Sequence, residues 1–272
     1  MSPRPAYAFF LGGRDLEMAA IRELLAFAGA GPVHDRGLLW GARASAYREE
    51  IEAALAGGAT PVLIELEPDL DLDPASVVWI DHHGAAGGAG RPTSLEQVFH
   101  LLALPAERWS RRFGLVAAND RGGVDGLVEA GATAAEIGSL RAEDRGAQGI
   151  TGAEEAAAAE AAAGLETAVG GQLAIARLPH ARTAALTDRL HAALGGPGYD
   201  NLLVISPGEV NFFGRGDLVR ALDRAFPGGW FGGDLPARGF WGHGQAPVAD
   251  VCRLLEGRLA GDRVEVASVA RP

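Results

Sequence analysis

The sequence has little sulfur and no long hydrophobic run. It contains one cysteine, Cys252, in 272 residues, which excludes an internal disulfide framework and a cysteine-rich zinc site. No apolar run approaches the roughly 20 residues that a membrane-spanning helix needs, so we expect no membrane partner. The apolar stretch Tyr7–Leu11 is too short for a signal peptide, and acidic residues soon follow it. These features predict a cytoplasmic protein.

The chain also lacks lysine, and its acidic residues are in excess. All 24 basic residues are arginine, against 35 acidic residues and a formal net charge of −11. Affinity for long nucleic acid requires cations that neutralise many phosphates, so we expect no such partner. The planar guanidinium of arginine suits a phosphate held in a pocket. A small phosphorylated ligand is therefore the expected partner, and the sequence leaves open whether the chain forms a homodimer.

The length and the apolar pattern predict two α/β domains. A hydrophobic fraction of 48% suits a soluble globular chain with two cores of ordinary size. In the first half, strand-like runs alternate with helical spacing, which predicts a parallel sheet with helices on both faces. The strand candidates there are residues 7–11, 62–64 and 77–80. In the second half, strand candidates at 173–176 and 202–205 and a helix at 217–225 predict a smaller α/β domain.

Three capping boxes and an alanine-rich stretch locate helices and a domain boundary. Threonine is followed three residues later by glutamate at positions 93, 133 and 151, a pattern typical of helix N-termini. Residues 154–165 have high helix propensity and few large apolar side chains, which favours a connecting helix over a core one. We therefore predict a first domain over residues 1–150, a connecting helix and linker over 151–170, and a second domain over 171–272.

Acidic and histidine residues follow the predicted strands of the first half. They are Asp15 and Glu17, Glu65 and Glu67, Asp81 with His82 and His83, and Asp120 after another apolar stretch. Ligands of parallel sheets gather where the carboxyl ends of several strands meet. Carboxylate oxygens and an imidazole nitrogen suit a hard or borderline divalent ion such as Mn²⁺, which can acidify bound water and clamp phosphoryl oxygens.

Four stretches, in order along the chain, resemble the motifs of the DHH phosphoesterase superfamily. Ile80-Asp81-His82-His83-Gly84 resembles the third motif, Val116-Ala-Ala-Asn-Asp120-Arg-Gly-Gly resembles the fourth, and Leu63-Ile-Glu65 stands where the second is found. Gly239-Phe-Trp-Gly-His243-Gly resembles the glycine-histidine motif of the DHH-associated domain. The resemblance implies an N-terminal DHH-type domain and a C-terminal domain that closes over the substrate.

The resemblance also implies a set of metal ligands. The family's first motif, His-x-x-x-Asp-x-Asp, here has Leu11, Asp15 and Glu17. One of the two family metal sites can be filled, by Glu17, Glu65, His82 and Asp120, whereas the other keeps only Asp15 and Glu65. We therefore expect one Mn²⁺ rather than two, or none.

Further site roles are implied in the same way. Arg14 would supply positive charge in place of the missing ion, His83 would face the phosphate, and Asp81 belongs to the expected catalytic group. The substrate-binding candidates are Arg121, Arg215, Arg238, Gly242, His243 and Gly244.

Two functions are compatible with these residues. The first is metal-dependent hydrolysis of a phosphate ester or diester in a small nucleotide, a cyclic dinucleotide or a short oligonucleotide. The second is a catalytically degenerate relative that binds a nucleotide-like ligand or a protein partner without hydrolysis, as the altered first motif suggests.

Several residues also allow a purely structural interpretation. Asp15 and Glu17 suit the first turn of a helix, and the sequence does not decide which of Glu65 and Glu67 faces inward. The two tryptophans at positions 230 and 241 suit either a core or an apolar wall for a base. The polar stretches 144–149 and 208–216 are interpreted as loops that line a cleft.

Overall fold

The computed structural model describes residues 6–82, 91–233, 235 and 237–269, the last eight as backbone only. The chain divides into two compact units, residues 1–149 and 150–272. Among the described residues, no helix combines the length and the apolarity needed to cross a membrane.

The first unit is built on a four-stranded parallel sheet. Its order is β2-β1-β3-β4, and every neighbouring pair is parallel. The strands are β1 Tyr7–Leu11, β2 Val33–Asp35, β3 Thr60–Ile64 and β4 Val78–Ile80. The helices are α1 Leu16–Ala28, α2 Arg48–Ala56, α3 Ser94–Leu101, α4 Arg111–Glu129 and α5 Ala134–Ala147, with short 3-10 helices at Ala44–Tyr47 and Ala106–Arg108.

The two faces of this sheet are buried separately. Phe10 and Leu63 point to one face, where they pack with Tyr47 and with Ile51 of α2. Successive strand residues alternate between faces, so Phe9 of β1, which is fully buried, lies on the opposite face. Among the helices, α3 packs against β4 and α1, and α1 also packs against α4 and α5. The predicted α/β fold class is confirmed.

Local signals fix the ends of the helices around the sheet. Asp15 caps α1 by accepting a hydrogen bond from the Met18 amide at 2.8 Å. The three predicted capping boxes are all formed, at the starts of α3, α5 and a helix of the second unit. Helix α4 bends at Gly123, whose φ of 56° is readily adopted only by glycine. Asp120 therefore lies inside α4, just before the bend, and not at the end of a strand.

The second unit contains a six-stranded mixed sheet of order β5-β6-β7-β8-β10-β9. Among the described strands of this sheet, β6 and β7 form the one parallel pair, and the other four neighbouring pairs are antiparallel. The strands are β5 Glu166–Ala168, β6 Leu173–Arg177, β7 Leu202–Ser206, β8 Glu209–Arg215, β9 Trp230–Gly232 and β10 Arg238–His243. The helices are α6 Gly152–Ala163, α7 Ala184–Leu190, α8 Gly216–Ala225 and α9 Val248–Val269, with 3-10 helices at Val169–Gly171 and Ala192–Leu194.

Helix α6 is the alanine-rich segment that was expected to connect the domains. It packs against α7 and β6, and Ala158 is fully buried in a core with Leu186 and Val204. Small side chains let the helix backbone approach its neighbours closely, so a lack of large apolar residues does not keep a helix out of a core. The expectation that this helix would not contribute to a core is therefore wrong.

Two predicted loops are regular elements, and the short strands β2, β5, β9 and β10 were not predicted. Residues 144–147 continue α5, and residues 209–215 form β8, in the interior of the second sheet. Both segments carry glycine and polar residues that are typical of loops. Their backbone hydrogen bonds are nevertheless made within helix α5 and within the second sheet. Strand β2 has three residues, too few for a visible period.

Candidate metal centre

Three neighbouring strands of the first unit end side by side. Leu11 of β1 pairs with Ile64 of β3, and Ile64 pairs with Ile80 of β4. Because the strands are parallel, the residues that follow them emerge at the same edge of the sheet. Glu65 and His82 come from two of these ends, and α1 begins just after the third.

Four side chains converge at this edge. The Nε2 atom of His82 lies 3.6 Å from Glu17 Oε2, 3.6 Å from Glu65 Oε1 and 2.6 Å from Asp120 Oδ2. Only 9% of the His82 side chain and 1% of the Glu17 side chain are exposed. We call Glu17, Glu65, His82 and Asp120 the four-residue cluster.

The first turn of α3 orients two of the carboxylates. The Leu95 amide donates a hydrogen bond to Glu17 Oε1 at 2.8 Å, and the Ser94 hydroxyl donates to Glu65 Oε1 at 2.8 Å. The N-terminus of a helix favours negative charge because its amides are unpaired and its dipole is positive there. Both glutamates are therefore fixed by donors on the side of α3, which leaves Glu17 Oε2 directed at His82.

The backbone at Glu65 is held in an unusual conformation. Its φ is 51°, in the left-handed region that residues with a Cβ rarely adopt. The Glu65 amide donates to the Ile80 carbonyl at 2.9 Å, and a Cβ at Gly12 would lie 2.1 Å from the Glu65 carbonyl oxygen. Strain of this kind persists where the surroundings enforce it and is common at functional sites. It turns the Glu65 side chain toward His82.

Glu65, and not Glu67, is thus the inward carboxylate of this segment. The Glu67 side chain is 58% exposed and lies 3.7 Å from Arg43. The sequence left the choice between the two glutamates open because strand alternation gives both residues the same side. The left-handed turn at Glu65 ends that alternation.

Burial and neighbouring charges at this edge of the sheet shift the pKa values of Glu17 and His82. Burial and then the charge of Asp120 raise the pKa of Glu17, despite the opposing contact with His82. Burial opposes the charged form of His82, but its close contacts with the Asp120 and Glu17 carboxylates, and their negative charges, outweigh burial and raise the pKa of His82 to about 11. In the absence of another cation, the imidazolium is therefore the positive charge of the cluster.

The donor set of the cluster fits a divalent ion. Glu17 Oε2 and Asp120 Oδ2 are buried and accept no hydrogen bond of good geometry from the described residues, and buried acceptors left this way usually indicate a missing ion or water. Candidate ligand atoms of Glu17, Glu65 and His82 lie within 4.8 Å of one another. With metal–ligand distances of about 2.0–2.2 Å, ligands of one ion are separated by about 3.0–3.6 Å.

Two of the three His82 separations match that spacing, and the third does not. The 2.6 Å distance to Asp120 is that of a protonated ion pair, so an ion that binds here must displace the His82 proton and move Asp120 outward by about 0.5–1 Å. Three carboxylates and one imidazole suit Mn²⁺ and similar ions.

Asp15 lies beside the cluster in a different environment. Burial, followed by the charges of Glu65 and Asp120, raises the pKa of Asp15 well above its usual value. A Cβ at Gly13 would lie 3.3 Å from Asp15 Oδ2 and 3.5 Å from Glu65 Oε2, so these two oxygens flank the same glycine. The neighbouring Leu11 is fully buried and offers no ligand atom, which leaves two carboxylates where the resemblance implies a second site.

Comparison with known proteins gives a likeness at the level of the fold. No protein-family model matches the chain, and no curated protein is significantly similar to it. Among solved structures, it is similar to an exopolyphosphatase-related protein from Bacteroides fragilis, with 13% identity, a TM-score of 0.47, and coverage of 94% of this chain and 92% of that one. A pGpG-specific phosphodiesterase from Vibrio cholerae has 11% identity, a TM-score of 0.42 and coverage of 94% and 99%.

A third similar structure is RecJ from Thermus thermophilus in complex with Mn²⁺. It has 13% identity and a TM-score of 0.43 over 93% of this chain, which spans about half of that protein, 52% of its length. These proteins belong to the DHH superfamily, the family that the sequence motifs resemble. The activities of those proteins are not assigned to this chain, because a similarity of this degree concerns the fold alone.

The other candidates of the first unit are sequence neighbours of Asp15, His82 and Asp120 or lie outside the described residues. Asp81 is exposed, and its carbonyl oxygen accepts a hydrogen bond from Gln97 at 3.2 Å. Arg14 is exposed, and its guanidinium lies against Gly149. Arg121 donates to Glu96 Oε2 at 2.8 Å. His83 falls within residues 83–90, which are not described.

The arginine candidates of the second unit form cross-strand neighbours. Arg215 of β8 pairs with Arg238 of β10, which places both at one end of the sheet. The Arg215 guanidinium donates to both carboxylate oxygens of Asp217, at 2.9 and 2.6 Å. Arg238 donates to the Asp200 carbonyl at 3.2 Å and lies over the Tyr199 ring. Their role in binding substrate stays a prediction.

The glycine-histidine stretch has a packing function that the sequence did not reveal. A Cβ at Gly242 would lie 2.4 Å from the Trp230 ring, so the glycine leaves space for that ring on β9. His243 Nδ1 accepts a hydrogen bond from the Gln245 amide at 2.9 Å. A Cβ at Gly244 would lie 3.7 Å from the Gly208 carbonyl oxygen, an ordinary contact. Trp241 is fully buried in the core, whereas Trp230 covers the glycine.

Sequence reasoning missed the residues that support the cluster. Ser94 and the Leu95 amide orient two ligands, yet only the capping box at Thr93 marked this helix start. Arg141 and Asp144 are buried within α5 at a spacing of i and i+3. A charged pair at that spacing on a helix was the available signal.

Proposed function

We propose that the protein is a metal-dependent phosphoesterase. The observation that carries this proposal is the convergence of three carboxylates on His82 Nε2, with buried oxygens of Glu17 and Asp120 that accept no good hydrogen bond from the described residues. A divalent ion, such as one Mn²⁺, supplies Lewis acidity toward a phosphoryl oxygen and acidifies water when bound at such a site. The choice of a phosphate ester rests on the resemblance of the sequence motifs.

The residues of the chain have separate tasks in this proposal. Glu17, Glu65, His82 and Asp120 hold the ion, and burial of their side chains keeps competing water away. Asp81 is exposed beside His82 and exchanges a proton with the leaving group or with solvent. Arg121 follows Asp120 in the sequence and adds positive charge for a phosphate, together with His83 and Arg14. The substrate is a small nucleotide, a cyclic dinucleotide or a short oligonucleotide.

A second candidate function follows from the first motif. Leu11 is buried in the core, and Asp15 is engaged as the cap of α1, so a second ion would have few ligands. A chain of this kind that binds a nucleotide-like ligand or a protein partner without hydrolysing it is the alternative. It predicts ligand binding that does not depend on added metal.

The test combines metal binding with hydrolysis. The protein is stripped with EDTA, and Mn²⁺ binding is measured by calorimetry, with bis-p-nitrophenyl phosphate, a cyclic dinucleotide and a short oligonucleotide as substrates. We expect about one Mn²⁺ per chain and Mn²⁺-dependent hydrolysis. His82→Ala and Asp120→Ala should each lower the rate at least about 100-fold.

The matched control is His100→Ala, which removes an exposed imidazole from α3 of the same unit and should leave the rate unchanged. A chain that binds no Mn²⁺ and hydrolyses none of the three substrates contradicts the proposal. If such a chain is also stabilised by a nucleotide in a melting assay, the second candidate is favoured.

A further inference from the structure

A buried network of hydrogen bonds lies behind the four-residue cluster. Arg141 Nη1 donates to Asn119 Oδ1 and to Asp144 Oδ2, each at 2.9 Å. Asp144 Oδ1 accepts from the Leu16 amide at 3.2 Å, and Gln148 donates to Asp144 Oδ2 at 3.1 Å. Asn119, Arg141 and Asp144 are 7%, 8% and 5% exposed. We call these residues the bridging network.

Both ends of the bridging network adjoin metal-ligand candidates. Leu16 lies between Asp15 and Glu17 at the start of α1, and Asn119 directly precedes Asp120 in α4. Arg141 and Asp144 both belong to α5. Thus α5 connects the backbone that carries Glu17 to the helix turn that carries Asp120.

The cluster needs a constraint of this kind. Glu17 of α1 and Asp120 of α4 approach the same atom, His82 Nε2, at 3.6 and 2.6 Å, so the positions of these two helices set the separation of the two carboxylates. A buried ion pair gives little net stability compared with apolar packing, and its best attested use is to select one geometry. Ligands held close to their final positions bind an ion more tightly, because less reorganisation accompanies binding.

We propose that Arg141 and Asp144 are positioning residues that set the separation of Glu17 and Asp120 in the metal centre. The inference rests on the proposed function, since it assumes that the cluster binds an ion. Neither residue belongs to the four-residue cluster, and each acts through the helix that it tethers. The quantity that the pair controls is therefore the distance between α1 and α4, and not the charge at the centre.

The test measures Mn²⁺ affinity and the free energy of unfolding of the same variants. Asp144→Asn keeps an acceptor for the Leu16 amide but can place an amide donor against Arg141. Arg141→Lys keeps the charge but loses the planar guanidinium whose Nη1 donates to both Asn119 and Asp144. We expect the Mn²⁺ Kd to rise about 10- to 100-fold in Asp144→Asn and less in Arg141→Lys. Saturating Mn²⁺ should restore the hydrolysis rate to within a few fold of wild type.

The matched controls break another link between α4 and α5, the helix that carries Arg141 and Asp144. Arg111 of α4 donates to both oxygens of Glu136 of α5, at 2.7 and 3.0 Å, far along the helix from Asp120. Arg111→Lys and Glu136→Gln should lower stability without changing the Mn²⁺ Kd. If the buried variants fail to fold, Asn119→Ser removes only the α4 end of the network and is measured in their place.

The outcomes separate this inference from the proposed function. Wild-type protein that binds no Mn²⁺ contradicts the proposed function and removes the basis of the inference. Wild-type protein that binds Mn²⁺, with network variants that bind it within twofold of wild type, overturns the inference alone. The inference is also overturned if the control variants and the network variants lose the same amount of Mn²⁺ affinity for a given loss of unfolding free energy.

Discussion

His82→Ala should remove most of the stabilisation that Mn²⁺ gives to the first unit. In wild-type protein, a free Mn²⁺ concentration 100 times the Kd raises the free energy of unfolding by about 2.7 kcal/mol. For a unit of about 150 residues this corresponds to a rise in Tm of roughly 5–11 °C. His82 is the ligand that all three carboxylates approach, within 3.6 Å, so its loss affects every ligand contact.

The size of the effect follows from the loss of one ligand in four. If the Kd rises about 100-fold, the same Mn²⁺ concentration stabilises the variant by only about 0.4 kcal/mol, or roughly 1–2 °C. Without metal, the variant should also be less stable than wild type by about 3 kcal/mol, because buried Glu17 and Asp120 lose their cationic partner.

The assay is a melting curve of the EDTA-treated protein, recorded without Mn²⁺ and with free Mn²⁺ at about 100 times the Kd measured for wild type. His100→Ala is the control and should shift like wild type. A wild-type Tm that Mn²⁺ leaves unchanged, or a His82→Ala shift as large as that of wild type, would refute the reasoning.

Three other predictions concern backbone contacts and acid stability. Gly12→Ala should destabilise the protein by about 2–3 kcal/mol and weaken Mn²⁺ binding, because the added Cβ meets the Glu65 carbonyl. Urea unfolding measures the first effect and calorimetry the second. Wild-type values in both assays would contradict the close approach of Gly12 to Glu65. Gly242→Ala should displace the Trp230 ring, and an unchanged tryptophan fluorescence spectrum would contradict this packing. Hydrogen bonds from its arginine partner on α4 lower the pKa of Glu136 from 4.5 to about 2, so its stabilising contribution is present above pH 4.5 and is lost as the pH falls toward 2. Glu136→Gln should therefore be less stable than wild type at pH 7 by an amount that vanishes near pH 2 in urea titrations, and a difference that is constant with pH would argue against the ion pair.

Local patterns predicted much of the fold. The apolar run at Tyr7–Leu11, the helical spacing that follows it and the three capping boxes are all present as regular elements. Such signals depend on residues close in sequence, so they can be recognised without knowledge of the tertiary contacts. The same local rules failed for β8. Its glycine and polar residues make backbone hydrogen bonds with β7 and β10, and the pairing with β10 joins segments that are far apart in the sequence.

The metal-ligand candidates were predicted as a set, but their geometry was not. The motif resemblance grouped Glu17, Glu65, His82 and Asp120, and the structure brings these side chains together. The choice of Glu65 over Glu67 depended on a left-handed residue that adjoining strands enforce. The bridging network was not predicted, because its members become neighbours only when α1, α4 and α5 pack.

The sequence by itself determined which residues carry ligand atoms and that Glu17, Glu65 and His82 come soon after buried strands, because side-chain chemistry and hydrophobic period are local properties. Only the tertiary structure decided that His82 lies among three carboxylates, that Leu11 is enclosed in the core, and that a buried arginine tethers the helices behind the cluster. These facts depend on distances between segments far apart in the chain, and burial then converts those distances into raised pKa values and constrained geometry.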